Sequence, residues 1–354
     1  MFVFMQAAVL HGKQDVRLEE VTERPLAPGE VRIRIGAALT CGTDLKVFKR
    51  GYHAKMIVPP AVFGHELAGE IVETRSAEGG TRNEGWRVGD RVVVANSAPC
   101  DVCDSCERDQ QSLCDDLLFL NGAYAESIVV PARLVEKNLL RLKPGTAFRD
   151  AALTEPLACV VQGVEESELA AGQRVLVIGA GPIGLMFVAL AKNLGCEVTV
   201  AGRGEARLAA AIRLGSSAVI DVGTEGDIVK AARQGGPTTP QFDVVIEAVG
   251  NPEAWEAAVK LVRKGGSVNF FGGCPAGTSV SLDTGLIHYS NLTLRASFHH
   301  TPRTIRRALD FIESGVIRAA DFVDGECALS ELPALFARMT AGNRVVKTLV
   351  DVRR

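Results

Sequence analysis

Cysteines 100, 103, 106 and 114 form a C-x2-C-x2-C-x7-C run. This spacing brings four thiolates around one tetrahedral ion, and Zn²⁺ is the usual occupant. Four sulfurs complete the tetrahedron, so the expected role of Cys100, Cys103, Cys106 and Cys114 is structural. Disulfides are the competing use, but the chain holds nine cysteines, an odd number, and Asp101 and Asp104 make the run polar and turn-forming. Chemistry is therefore sought in two quieter fragments, Cys41-Gly42-Thr43-Asp44 and Gly64-His65-Glu66. Thiolate and imidazole together suit a zinc that keeps one position open for an alcohol oxygen. Neither fragment is decisive alone, because single cysteines often pack as small apolar side chains.

A third group lies at Gly179-Ala180-Gly181-Pro182-Ile183-Gly184, between the apolar strand Arg174–Ile178 and an apolar helix. In that context the pattern reads as a dinucleotide site. Gly179 serves the tight turn, Gly181 admits the pyrophosphate to the backbone, and Gly184 lets helix and strand pack closely. Pro182 and Ile183 open the helix whose N-terminus faces the anion. The end of the second strand selects the cofactor, since an acid there accepts from the ribose 2′-OH of NAD. Here Gly202 and then Arg203 occupy it, and an arginine can pair with a 2′-phosphate. Arg207 stands one turn further on, while Glu205 offers a competing contact to the ribose. NADP(H) is favoured over NAD(H).

These groups need two kinds of scaffold. Before about residue 155 the chain alternates short strands (Glu30–Ile35, Leu67–Val72, Arg91–Val94, Ser127–Val130) with Gly, Pro and polar loops. From Gln173 it changes to strand–helix alternation, with strands at Arg174–Ile178, Glu197–Val200, Ala218–Ile220, Phe242–Glu247, Ser267–Phe271 and Leu292–Ala296. Helices are expected over Ile183–Leu194, Glu205–Leu214 and Glu253–Val262. Six strands with helical crossovers make an α/β fold with a doubly wound parallel sheet. A helix through Ile305, Ala308, Leu309 and Ile312 and a strand Lys347–Val352 return the tail to the first domain. The expected domains are residues 1–155 with 297–354, carrying a lobe at about 96–116, and residues 156–296. A net charge of −3 without a long basic run argues against nucleic acid or an acidic membrane as partner. Met1–Leu10 reads as a first strand rather than a signal peptide, and no run has the roughly 18 apolar residues of a membrane span. A cytoplasmic protein with reduced, metal-bound cysteines is expected.

With Cys41-Gly42-Thr43-Asp44, Gly64-His65-Glu66-Leu67-Ala68-Gly69, Gly89-Asp90-Arg91-Val92, the four-cysteine lobe, Glu155-Pro156-Leu157-Ala158 and Gly179 to Gly184 in this order, nearly the whole chain resembles the zinc-containing medium-chain dehydrogenases of the sorbitol and threonine dehydrogenase branch. The resemblance implies a GroES-like, mostly β catalytic domain, a Rossmann domain, and an active site between them. It implies that Cys41 and His65 are catalytic zinc ligands, with Glu66 or Glu155 as the third protein ligand. Thr43 would relay the hydroxyl proton, and Asp44 would orient His65 or cap the turn. Val249, Gly250, Gly272 and Gly273 would contact the cofactor from strand ends. Cys159, four residues after Glu155, is expected to pack in the next helix.

Three departures stand out. Arg75 replaces a usual glycine or alanine, and a polar loop Ser76–Gly85 follows. The Arg-Tyr pair that holds polyol hydroxyls in sorbitol dehydrogenases is replaced by Phe298-His299-His300-Thr301, so the sorbitol assignment does not carry over. His299 and His300 either contact another substrate or cap the helix near Pro302. The implied reaction is hydride exchange between a secondary alcohol (a polyol, sugar derivative or hydroxy amino acid) and the nicotinamide of NADP(H), in a homo-oligomer, dimer or tetramer. Two alternatives are a zinc-free quinone or enone reductase on the same scaffold, and a catalytically inactive dinucleotide-binding protein.

Overall fold

The computed structural model describes residues 3–53, 55–76, 85–225, 227–234, 242–342 and 345–354. The chain divides into two compact units, Met1–Ala158 with His300–Arg354, and Cys159–His299. Most of the Ser76–Gly85 loop lies outside the described residues.

The first unit is built on the strand Val31–Leu39, whose β-branched residues are buried along nearly its whole length. It pairs antiparallel with Glu66–Thr74, Ser127–Val130 and the C-terminal strand Lys347–Asp351. Register decides what gathers at one edge of this sheet. Leu39 stands opposite both Glu66 and Leu349, and Leu67 opposite Val94. Cys41 and Asn96 follow Leu39 and Val94 by two residues, and Lys347 precedes Leu349 by two. The edge therefore collects Cys41, His65, Glu66, Asn96 and Lys347 from four segments distant in sequence. Beneath it lies an aromatic cluster in which Phe63 meets Tyr124 and Phe336 at centroid distances of 5.7 and 5.4 Å. The opening segment is a strand, Val3–Gly12, paired with Asp15–Glu23.

The second unit holds a six-stranded sheet in the order Ala218–Asp221, Glu197–Gly202, Arg174–Ile178, Phe242–Glu247, Val262–Phe270, Thr293–Ala296. Every neighbouring pair is parallel. The strand expected to start at Ser267 begins five residues earlier. The helix Pro252–Leu261 stops at β-branched Val262, which enters the sheet directly. Pairing then shifts register between Phe242/Val262 and Val244/Ser267, with Gly265 supplying the required φ of 72°. Other boundaries in this unit move by at most two residues, the helices running over Pro182–Asn193 and Glu205–Arg213, while the first unit's strand expected to end at Ile35 continues to Leu39.

Neither histidine caps the helix Pro302–Glu313. Its cap is Thr301, which exchanges hydrogen bonds with Thr304, because a hydroxyl reaches the free N–H of the first turn and an imidazole does not. His300 is buried instead, with Nε2 2.9 Å from Asn96 Oδ1. Cys159 also departs from expectation, for it lies on the helix Thr154–Glu166 that carries Glu155. Arg75 ends the Glu66–Thr74 strand by donating to Leu26 O at 2.7 Å. Among the described residues no helix is long and apolar enough to cross a membrane.

Candidate active site

Cys41 is the N-cap of the helix Gly42–Arg50, and its Sγ accepts from Thr43 N at 3.4 Å. Asp44 completes the capping box by accepting from Cys41 N at 3.2 Å, so the cap fixes the start of the helix and the thiol together. Asp44 does more than cap. Its Oδ1 lies 2.9 Å from His65 Nδ1 as an ion-pair contact, which directs Nε2 as the nitrogen for a metal. Its Oδ2 accepts from the Tyr124 hydroxyl at 2.5 Å. The two roles considered for Asp44 are thus held by one buried carboxylate. Replacing Tyr124 with phenylalanine is expected to cost about 1.5–3 kcal/mol, as for a hydrogen bond to a charged group. An unchanged denaturant midpoint would remove Tyr124 from the support of the site.

Ligand atoms of Cys41, His65 and Glu66 all lie within 4.8 Å of one another. His65 and Glu66 are 4% and 0% exposed, so water competes little at this edge. Burial opposes charge on His65, yet Asp44 and Cys41 hold its pKa well above the ordinary value. Burial pushes the Glu66 carboxyl up against the pull of Lys347 and His65. Glu155, also buried, is raised to about 7, chiefly by burial and partly offset by His65. Glu155 is thus close enough to feel the other groups, and soft, imidazole and carboxylate donors together match the chemistry of a zinc site.

The lobe fits a metal by a different logic. Ligand atoms of Cys100, Cys103, Cys106 and Cys114 also lie within 4.8 Å of one another. Backbone N–H groups of Asp115 and Cys106 lower the Cys103 thiol to about 7, where the thiolate is well populated at neutral pH. Burial and the neighbouring thiols raise Cys106 to about 12. Four thiolates this close repel one another, and a dication relieves that repulsion. Ion pairs Lys137–Asp101 and Arg133–Asp116 tie the lobe to the helix Ala132–Asn138.

In the second unit Gly179 adopts φ 118°, and a Cβ on Gly184 would lie 1.8 Å from Gly179 O. A Cβ on Gly181 would meet nothing within 4 Å. The helix after it carries no side-chain cap, with Gly181 at the N-cap and Pro182 at its start. This is open backbone at a positive helix end, suited to a pyrophosphate. Gly202 is a different case. The room it leaves is taken by the protein, since its Cβ would meet Ala180 Cβ at 2.5 Å. The acid of an NAD-type site is thus excluded by packing between the first two strand ends. Arg203 is exposed and lines a cleft of about 610 Å³ with Asp227, Asn251, Ala254 and Lys260. Arg207 is half-buried and already engaged with other protein groups.

The strand-end contacts expected from Val249, Gly250 and Gly272 are limited in kind. Val249 N and Gly250 N already donate to Glu247 Oε1, at 2.7 and 2.9 Å, and Gly272 N donates to Glu247 O at 2.8 Å. Those amides are therefore not offered to a cofactor. Carbonyls and the half-exposed Val249 side chain remain. Gly250 and Gly272 are needed for close approach, since a Cβ on Gly272 would stand 2.3 Å from Gly250 N.

A family model described as zinc-binding dehydrogenase matches residues 182–314, and one described as alcohol dehydrogenase GroES-like domain matches residues 27–140. A D-altritol 5-dehydrogenase of Agrobacterium fabrum is 33% identical over 93% of this chain and 94% of its own. The chain belongs to the zinc-type medium-chain alcohol dehydrogenase family.

This dehydrogenase is also similar to the L-threonine 3-dehydrogenase of Pyrococcus furiosus, at 36% identity over 78% of each chain. The sorbitol dehydrogenase of Bacillus subtilis is 28% identical over 99% of this chain and 98% of its own. Among solved structures, a zinc-binding dehydrogenase of Sinorhizobium meliloti bound to NADP superimposes with a TM-score of 0.88. It is 29% identical and covers 98% of this chain and 99% of its own. The protein is an NAD(P)-dependent alcohol dehydrogenase. Three residues of the dehydrogenase escaped sequence reasoning: Tyr124 behind Asp44, Glu247 beneath the Val249–Gly250 turn, and Lys347 against Glu66. None sits in a motif. A lysine within the apolar strand ending Thr348-Leu349-Val350 was the one visible anomaly.

Proposed function

We propose that this dehydrogenase is zinc-dependent and oxidises a secondary alcohol of a polyol, sugar derivative or hydroxy amino acid, with NADP favoured over NAD. The mutual approach of Cys41, His65 and Glu66 within 4.8 Å carries the reading. Cys41, His65 and one of the carboxylates Glu66 and Glu155 would hold the reactive zinc, and the four-cysteine lobe a structural one. When bound, zinc and the nicotinamide supply the Lewis acidity and the hydride acceptor that the reaction requires. The chain's own residues do the rest. Asp44 fixes the tautomer of His65, and Thr43 Oγ1, one residue into the helix, passes the hydroxyl proton toward solvent. Gly179, Gly181 and Gly184 receive the pyrophosphate. Assays of polyols, sugar phosphates, amino alcohols and simple secondary alcohols with both cofactors test the reading; turnover of none of them would defeat it.

NADP is favoured because Arg203 is exposed beside a cleft and no acid precedes it. The NADP carried by the S. meliloti structure supports the same choice. Arg203→Ala should raise the Michaelis constant for NADP about 10- to 100-fold, as expected for charge-assisted contacts of about 1.5–3 kcal/mol. The constant for NAD should barely move. Equal effects on both would overturn the assignment. A homo-oligomer, dimer or tetramer, is part of the proposal, because Thr293–Ala296 is an edge strand of its sheet among the described residues. Cytoplasmic placement, where the nine cysteines stay reduced, completes it.

A further inference from the structure

We propose that Lys347 is a positioning residue of the zinc site: it holds Glu66 and the Cys41 loop in one fixed arrangement, so that zinc affinity depends on a strand from the far end of the chain. The inference rests on the zinc reading above. Lys347 is 2% exposed and lies beside Glu66, which is 0% exposed. Its Nζ donates to Glu66 Oε1 at 2.8 Å, to Glu66 Oε2 at 2.5 Å and to Thr40 O at 2.8 Å. An ammonium has three N–H groups, and all three are spent here. None is left for water or substrate, which sets Lys347 apart from an acid, a base or a substrate ligand.

Two of these bonds fix both oxygens of Glu66, and the third fixes the carbonyl of the residue before Cys41. The backbone reinforces the hold. Thr40 N donates to Thr348 O at 3.0 Å, and Thr348 N to Thr40 Oγ1 at 3.0 Å. Cys41 follows the strand Val31–Leu39 and Glu66 opens the strand Glu66–Thr74, and the C-terminal strand carrying Lys347 is tied to both. Groups that orient metal ligands in this way commonly change metal affinity 10- to 100-fold when removed. A buried ammonium also balances charge, since thiolate and carboxylate would otherwise face each other across a site closed to water.

The test uses the full-length enzyme, with zinc in the four-cysteine lobe and either zinc or cobalt in the second site. Lys347→Met should release the second zinc to a competing chelator about 10- to 100-fold more readily, and should shift the visible spectrum of the cobalt form. Lys347→Arg, which keeps charge and reach, should restore both. Lys347→Met leaves Glu66 unpaired and can fail to fold, so the neutral double variant Glu66→Gln with Lys347→Met is measured beside it. It should bind zinc more weakly than the single variant Glu66→Gln and differ from it in cobalt spectrum. Zinc affinity and cobalt spectrum unchanged in either folded variant, against the unmodified enzyme for Lys347→Met and against Glu66→Gln for the double variant, would overturn the role of Lys347. A different result defeats the zinc reading itself: unmodified enzyme that carries one zinc per chain, and none lost on Cys41→Ser.

Discussion

Cys103→Ser is expected to lose about one of two zinc ions per chain and most of the folded yield, with activity falling only as folded protein disappears. Structural zinc sites in small peptides contribute roughly 10–16 kcal/mol of apparent binding free energy, which exceeds the whole stability of many domains. The remaining three sulfurs leave the tetrahedron incomplete and have a weaker claim on a dication. In Lys137–Asp101 and Arg133–Asp116 the carboxylates are exposed, so these pairs cannot hold the lobe alone. Zinc per chain, a thermal melt and specific activity of the folded fraction together check this. Two zinc ions and an unchanged melt in Cys103→Ser would refute a structural zinc in the lobe.

Cys41→Ser should separate chemistry from stability. Serine is itself a good N-cap, so the bond from Thr43 N and the capping box with Asp44 survive the change. The thermal melt should stay close to that of the unmodified protein. The soft sulfur ligand is lost, and zinc at the second site falls with it. A metal supplies several kcal/mol of transition-state stabilisation in such reactions, so kcat/KM should drop at least about a thousandfold. The zinc count should fall from about two to about one, with the four-cysteine ion retained. One chelator-resistant zinc in the unmodified enzyme, with full activity in Cys41→Ser, would sink the catalytic-zinc proposal.

The two variants differ because their cysteines serve different physics. On the proposed reading, Cys103 belongs to a lobe whose folding and metal binding would be one event. Cys41 sits where the sheet, the Gly42–Arg50 cap and the Tyr124–Asp44 bond are already in place. Loss of the proposed metal there would remove a reagent and leave the scaffold standing.

Spacing alone determined much of this protein. A C-x2-C-x2-C-x7-C run and a G-x-G-x-x-G between strand and helix are local patterns, legible because their geometry is made by adjacent residues. Periodicity likewise revealed the six parallel strands, since each is short, apolar and bounded by a helix. Only the tertiary structure decided what cross-strand register controls. It brought Lys347 against Glu66, set the Tyr124 hydroxyl on Asp44, and spent the Val249 and Gly250 amides on Glu247. It also showed that a Cβ on Gly202 would meet Ala180 Cβ at 2.5 Å. Such contacts join residues up to 281 positions apart, and a single sequence carries no signal of which distant polar group a buried charge will find.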